Sequence, residues 1–539
     1  MKRIVPLLLV LMLLCGCSVT EVPSTSESSI PTEAPTNEPI PTEMPTEAPF
    51  ESELLEGGIR VHTDYSQYTL DTPMQPKYTR LSQEHISELQ PRDDYGMLYP
   101  FVGNRICSDY SYKTYYGMVD ASGCIVVDAV YDSINLVSRD YWDLYQHGDL
   151  DFPMWALGKT GLTEYGYATT TYALASLDGS FVSEHIYSQL TAYDEYVFAY
   201  IYHNDDAVQL HVYDMEGNLC LDSKDLPFCD RLDSYYDAIT YGDGLFTVIL
   251  EGPSGEREYY IADWEGNLLY GPFQQAECYH DGYALVGKSD DLYAFIDVNG
   301  NYFLDMEFSS AWAFRNGYAD AKDAASGQCM LLSAEEKIVF SVDADGCYWD
   351  GKFFSVTINE DGSWKERFYN KNGEFLYEGT QEEYYSIFGS EEQAYVNVDD
   401  KIINLQTGEE YTLEGMSAYY VYSYDTYYPF EEVSYFQVNC YDEEESEYTL
   451  FDRSFRKVIS TNGYIDITQD AFTKERYITI VNGNVEIYSI DAQPIATFQF
   501  PNYRFVNNRV LCYNDMYSCY YDLEGNLLFC YPYSGMGDD

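Results

Sequence analysis

Basic residues are scarce: 29 Lys plus Arg stand against 90 Asp plus Glu, for a formal charge of -61. Such a balance disfavours nucleic acid and anionic membrane surfaces, and it permits cationic proteins, divalent ions and neutral glycans. Catalytic signatures are missing too. There is no G-x-S-x-G, H-E-x-x-H or P-loop. The S-F-R-K at 454–457 and the K-T-G at 159–161 share letters with penicillin-binding enzymes, but they stand in the wrong order and in strand-like sequence. The seven histidines show no metal-ligand spacing, so His185 and His203 read as surface or edge residues. With so many acidic residues, a pair of glycosidase carboxylates would carry no signal of its own. Convincing 3.6-residue periodicity is also scarce, which argues against helical architecture.

What is present is tyrosine, glycine and repetition. The chain has 58 Tyr, 27 Phe and 37 Gly. Runs such as Y-I-D-I at 464–467 and R-Y-I-T-I-V at 476–481 alternate with period 2, the pattern of short antiparallel strands. Asp-x-x-Gly turns punctuate them at 120–123, 214–217, 263–266, 297–300 and 522–525, with looser copies between. From Gly123 to Gly525 the markers recur about every 40 residues, the period of a four-stranded propeller blade. The expectation is an all-β, antiparallel, propeller-like repeat array of eleven or twelve units. That count implies two successive propellers or one ring with insertions; the alternative is an open stack of hairpins.

The N-terminus is organised differently. Lys2 and Arg3 precede an apolar run from Ile4 to Leu14, which is of signal-peptide length and too short for a comfortable membrane span. The following L-C-G-C at 14–17 resembles the bacterial lipobox. That resemblance implies cleavage before Cys17 and attachment of diacylglycerol and palmitate-type acyl chains there. Residues 18–55 are rich in Pro, Thr and Glu, with P-T-E-A-P repeats that have little to bury, and they read as a disordered tether. The expected organisation is therefore a signal segment at 1–17, a tether at 18–55 and a β-repeat region at 56–539. The protein would sit on the extracytoplasmic face of a bacterial cell membrane, held to the bilayer by lipid alone. A short helix is expected near Gln83 to Leu89.

The stretch Y-G-M-V-D-A-S-G-C-I-V-V-D-A-V-Y-D-S-I at 116–134 resembles the bacterial WG repeat, and so does 282–319. In both, the Trp-Gly pair is replaced, by Tyr116-Gly117 and by Ala294-Phe295. WG-repeat proteins are common at cell surfaces, and the repeat has no established catalytic residues, so the resemblance implies location and architecture. A surface-anchored, non-catalytic recognition or scaffolding module is the leading functional expectation, with an extracellular protein or cell-wall glycan as partner. A propeller-type glycan-active enzyme and a solute-binding lipoprotein are the alternatives.

The expected binding patch is Tyr279, Tyr283, Trp312 and Tyr318, aromatics flanking turns in the most regular copies; Trp312 reads equally as an inter-blade plug. Asp297, Asn299 and Asn301 have the spacing of alternate calcium ligands. A capped hairpin turn accounts for the same letters, so no cofactor is required. The eleven cysteines after Cys17 contain no C-x-x-C and read mostly as reduced core thiols.

Overall fold

Short β-branched and aromatic runs between Asp-Gly turns favour short antiparallel strands, and these build the protein. The computed structural model describes residues 53–54, 60–61 and, with interruptions, 88–532; the longest interruptions are 140–150 and 424–434. The lipobox-like segment, the tether up to residue 52 and nearly all of the expected helix at 83–89 lie outside the described residues. Among the described residues the only helical elements are two single 3-10 turns, Ser223–Asp225 and Cys229–Arg231.

Among the described residues the strands form ten sheets. One has seven strands and holds two repeats, joined where Phe308 pairs with both Tyr293 and Asp323. Eleven units therefore follow one another: 99–131, 133–182, 189–222, 239–273, 275–302, 308–343, 346–380, 385–412, 419–461, 464–498 and 502–532. They are numbered 1 to 11 below. In the four-stranded sheets, strands lie in chain order, so the first and fourth are edges.

First strands lie inside. Arg139, just past the first strand of unit 2, bridges in parallel to Ala192 in the first strand of unit 3. The Arg504 guanidinium, on the first strand of unit 11, donates to the Ile134 carbonyl on the first strand of unit 2 at 2.8 Å. That bond spans unit 1, which has three described strands, Tyr99–Ile106, Tyr112–Val119 and Ile125–Tyr131.

The seams between units explain the glycines. Gly300 has φ +75°, and a Cβ placed there would lie 2.3 Å from the Tyr270 ring on the outer strand of unit 4. The turn glycines of units 3, 7 and 1 press in the same way on Phe181, Phe340 and Phe529. Phe529 belongs to unit 11, so the first unit seats on the last as unit 7 seats on unit 6. Further contacts secure that junction. The Val102 N–H donates to Ser518 Oγ at 3.1 Å, the Tyr520 hydroxyl donates to the Pro100 carbonyl, and the Arg509 guanidinium lies 4.3 Å from the Tyr99 ring centre. One apolar cluster runs through Val119, Trp155, Tyr520 and Phe529. The terminal units are thus in contact, unlike the ends of an open stack, and residues 50–539 form one contact unit.

Of the described cysteines, Cys519 and Cys530 are disulfide-bonded across neighbouring strands, and seven, including Cys278, Cys329 and Cys347, are free.

Gly300→Val combines left-handed backbone strain with overpacking against Tyr270, and should cost about 2–4 kcal/mol. The melting temperature should fall equally in calcium and in chelator. A loss confined to calcium-containing buffer would contradict the turn reading.

Candidate functional site at the inner edge

The acidic turns are filled by their own backbone. Asp297 Oδ1 accepts the N–H groups of Asn299 and Asn301 at 2.9 and 2.8 Å, and Oδ2 accepts from Asn301 Nδ2 at 3.0 Å. Asp214 with Asn218 and Asp522 with Asn526 repeat the same side-chain and backbone bonds. These hydrogen bonds hold Asp297 below the usual carboxylate range against the opposing effect of desolvation, which is the largest single influence on it. Among the described residues, no three His, Cys, Asp or Glu side chains are grouped to hold a metal.

The four expected patch aromatics do not form one solvent-facing surface. Tyr279 is fully buried; the unit 4 turn closes over its backbone at Gly242, and its hydroxyl donates to the Asp297 carbonyl at 3.0 Å. Tyr283 is half-buried between Phe303 and Phe314, with ring centres at 4.8 and 4.9 Å. Tyr318 is half-buried against Trp349 at 5.3 Å. Only Trp312 is exposed, at 48%. The reason is strand alternation: proximity to a turn does not decide which face a side chain takes.

Trp312 is joined through its own unit to a buried frame shared with the next unit. It follows the inner strand Phe308–Ala311 of unit 6, and its N–H donates to the Asp320 carbonyl at 3.1 Å. The Asp320 carboxylate accepts the Trp349 N–H at 3.0 Å, and the Trp349 indole donates to the Arg315 carbonyl at 3.0 Å. Arg315 Nη1 then donates to the hydroxyl of Tyr348, on the inner strand Gly346–Trp349 of unit 7. That distance is 3.1 Å, and Tyr348 is 44% exposed. Two exposed aromatics on neighbouring inner edges are thus tied to one buried frame. Sequence reasoning missed Tyr348 and Arg315. The available signal was the inner-strand run G-C-Y-W, whose Tyr and Trp must face opposite sides.

Behind this frame lies a buried polar group from unit 5. Cys278 Sγ is 3.2 Å from His280 Nε2, and the Asp281 carboxylate accepts the Gly317 N–H at 2.9 Å. Burial raises Asp320 to about 7, opposed by the Trp349 N–H and by Arg315. Burial also raises Glu277, again opposed by Arg315. His280 is lowered to about 4 by burial and by the Arg315 charge, so it is neutral at pH 7. Cys278 and His280 are both buried.

Residues 293–323 match the WG containing repeat. The match runs from the third strand of unit 5 through Trp312, Arg315 and Asp320, so the sequence repeat straddles two units rather than coinciding with one. BamB from Moraxella catarrhalis is a similar solved structure, at 12% identity, covering 55% of this chain and 96% of that one, with a TM-score of 0.21. No curated protein matches.

Asp320 generates a pH prediction. Its folded pKa lies above the ordinary carboxylate value of 3.8, so the native state holds a proton that the unfolded chain releases between pH 4 and 7. Its contribution is complete below that window and is lost as pH rises through it. His280 acts in the opposite sense below pH 6.5, so the comparison must be made by variant. The stability of Asp320→Asn relative to the parent should improve steadily from pH 4 to 7, followed by chemical denaturation at each pH. A flat difference would place the Asp320 titration elsewhere.

Proposed function

We propose that the protein is a surface-anchored, non-catalytic recognition module that binds an extracellular protein or a neutral glycan through Trp312 and Tyr348 at its inner edge. The observation carrying this reading is that two exposed aromatics stand on adjacent units, Tyr348 held by the buried Arg315 and Trp312 bonded through its backbone to Asp320. Tyr and Trp offer contact area with few rotamers to freeze, and they dominate interface energetics where a rigid base holds them. The exposed Trp and Tyr suit a sugar face or an apolar side chain, while the acidic surface favours cationic or uncharged partners. Anchoring belongs to the same reading: Cys17 carries the lipid, and residues 18–55 hold the repeat region away from the bilayer. Cys17→Ser should abolish fatty-acid labelling, and undiminished labelling would remove the anchor from the proposal.

Binding is tested by retention of purified 56–539 on cell-wall fractions and extracellular proteins, with product analysis of the same mixtures. Trp312→Ala with Tyr348→Ala should weaken retention at least tenfold, a loss of about 1.4 kcal/mol or more, measured well below the melting temperature because Tyr348→Ala also removes the hydroxyl that accepts from Arg315. Tyr279→Phe should leave binding unchanged, because that hydroxyl is internal. Equal retention by the double variant would remove this surface from the reading, and turnover of a glycan or peptide would overturn the non-catalytic reading itself.

A further inference from the structure

We propose that Cys329 and Cys347 form a disulfide joining unit 6 to unit 7 when the protein meets a small-molecule disulfide. Cys329 lies on the third strand of unit 6, Gln328–Ser333, and Cys347 on the inner strand of unit 7, Gly346–Trp349. Both sit in the apolar cluster of Trp349, Phe354 and Val356 that forms this seam. The sulfurs meet the segments that flank this seam. The Cys329 thiol points to the Ala344 carbonyl at 3.7 Å, just before unit 7, and the Cys347 thiol points to the Ala321 carbonyl of unit 6 at 3.5 Å. The thiols also interact with each other, which holds Cys329 below the usual thiol range and pushes Cys347 above it; burial adds to the second effect. Lys322 favours the Cys329 thiolate further.

The accessibilities assign an order. Cys347 is half-buried and Cys329 fully buried, so the reagent R–S–S–R meets Cys347 first. The Cys347 sulfur, its proton passing to solvent, attacks one reagent sulfur; the reagent S–S bond breaks and one thiolate leaves. The Cys329 thiolate then attacks the protein sulfur of the mixed disulfide and expels the second thiolate. The two cysteines lose two electrons and two protons in all, and the reagent becomes two thiols. The bond would pin the seam next to Tyr348 without depending on what that residue binds.

The test uses the full chain, treated with oxidised glutathione or with dithiothreitol, then alkylated under denaturing, non-reducing conditions and mapped by mass spectrometry. After oxidation, more than half of the molecules should carry the Cys329 and Cys347 peptides joined, two hydrogens lighter than their sum. Reduction should abolish the joined species, and Cys347→Ser should leave Cys329 alkylated. The oxidised protein should melt at least about 2 °C above a Cys347→Ser protein treated identically. If both cysteines are alkylated as fully after oxidation as after reduction, the proposal is overturned. That result comes from the parent chain and does not depend on the variant folding.

Discussion

The seam between consecutive units is the constraint on which everything else depends. A single four-stranded sheet of this size has two faces, and it cannot bury both by itself. Each unit therefore needs its neighbours, and the neighbours need close approach. The Asp-capped turn provides it: the carboxylate takes up backbone N–H groups, and the glycine leaves room for an aromatic from the preceding outer strand. Because Gly123 meets Phe529 in the same way that Gly300 meets Tyr270, the seam that builds the array also joins its ends. No special closing device is needed beyond the added bonds of Ser518, Tyr520 and Arg509.

The inner edge inherits its rigidity from those seams. Arg315 is a buried cation whose cost is offset by partners on three units: carboxylates at Asp320 and Glu277, and the phenol of Tyr348. Small polar groups stitch the inner edge elsewhere, as where the Asp243 carboxylate accepts the Gly282 N–H and the Asn316 side chain donates to the Gly351 carbonyl. Trp312 and Tyr348 thus project from a hydrogen-bonded frame. Their exposure is a property of register, since Trp349, one residue on, is fully buried.

Much of the architecture was legible because turn chemistry is local. Asp-x-x-Gly-Asn dictates its own hydrogen bonds, so the period near 40 and a count of eleven or twelve units could be read from letters alone. The match over 293–323 overlaps most of the second stretch that resembled the WG repeat, 282–319. The binding patch was less legible, because whether Tyr279 or Tyr348 reaches water depends on which strand is innermost and on what the neighbouring unit lays over it. Tyr279 flanks a turn and is sealed by unit 4, whereas Tyr348 lies within a strand and is exposed. The Cys329 and Cys347 pairing was hidden for the same reason: irregular sequence spacing says nothing about contacts across a seam. The pairing of Cys519 with Cys530 also needed the strand register, which sets them directly opposite.

The claim that the repeats return on themselves is tested most directly by a distance between the first and last units. Spin labels can be placed through unnatural amino acids at Ser122 and Glu524, both exposed on the turns of units 1 and 11. The seating of Gly123 on Phe529 predicts one narrow distance within about 30 Å, a few sheet spacings. An open array of units stacked at about 10 Å would separate the labels by on the order of 100 Å, and a distance in that range would contradict the account.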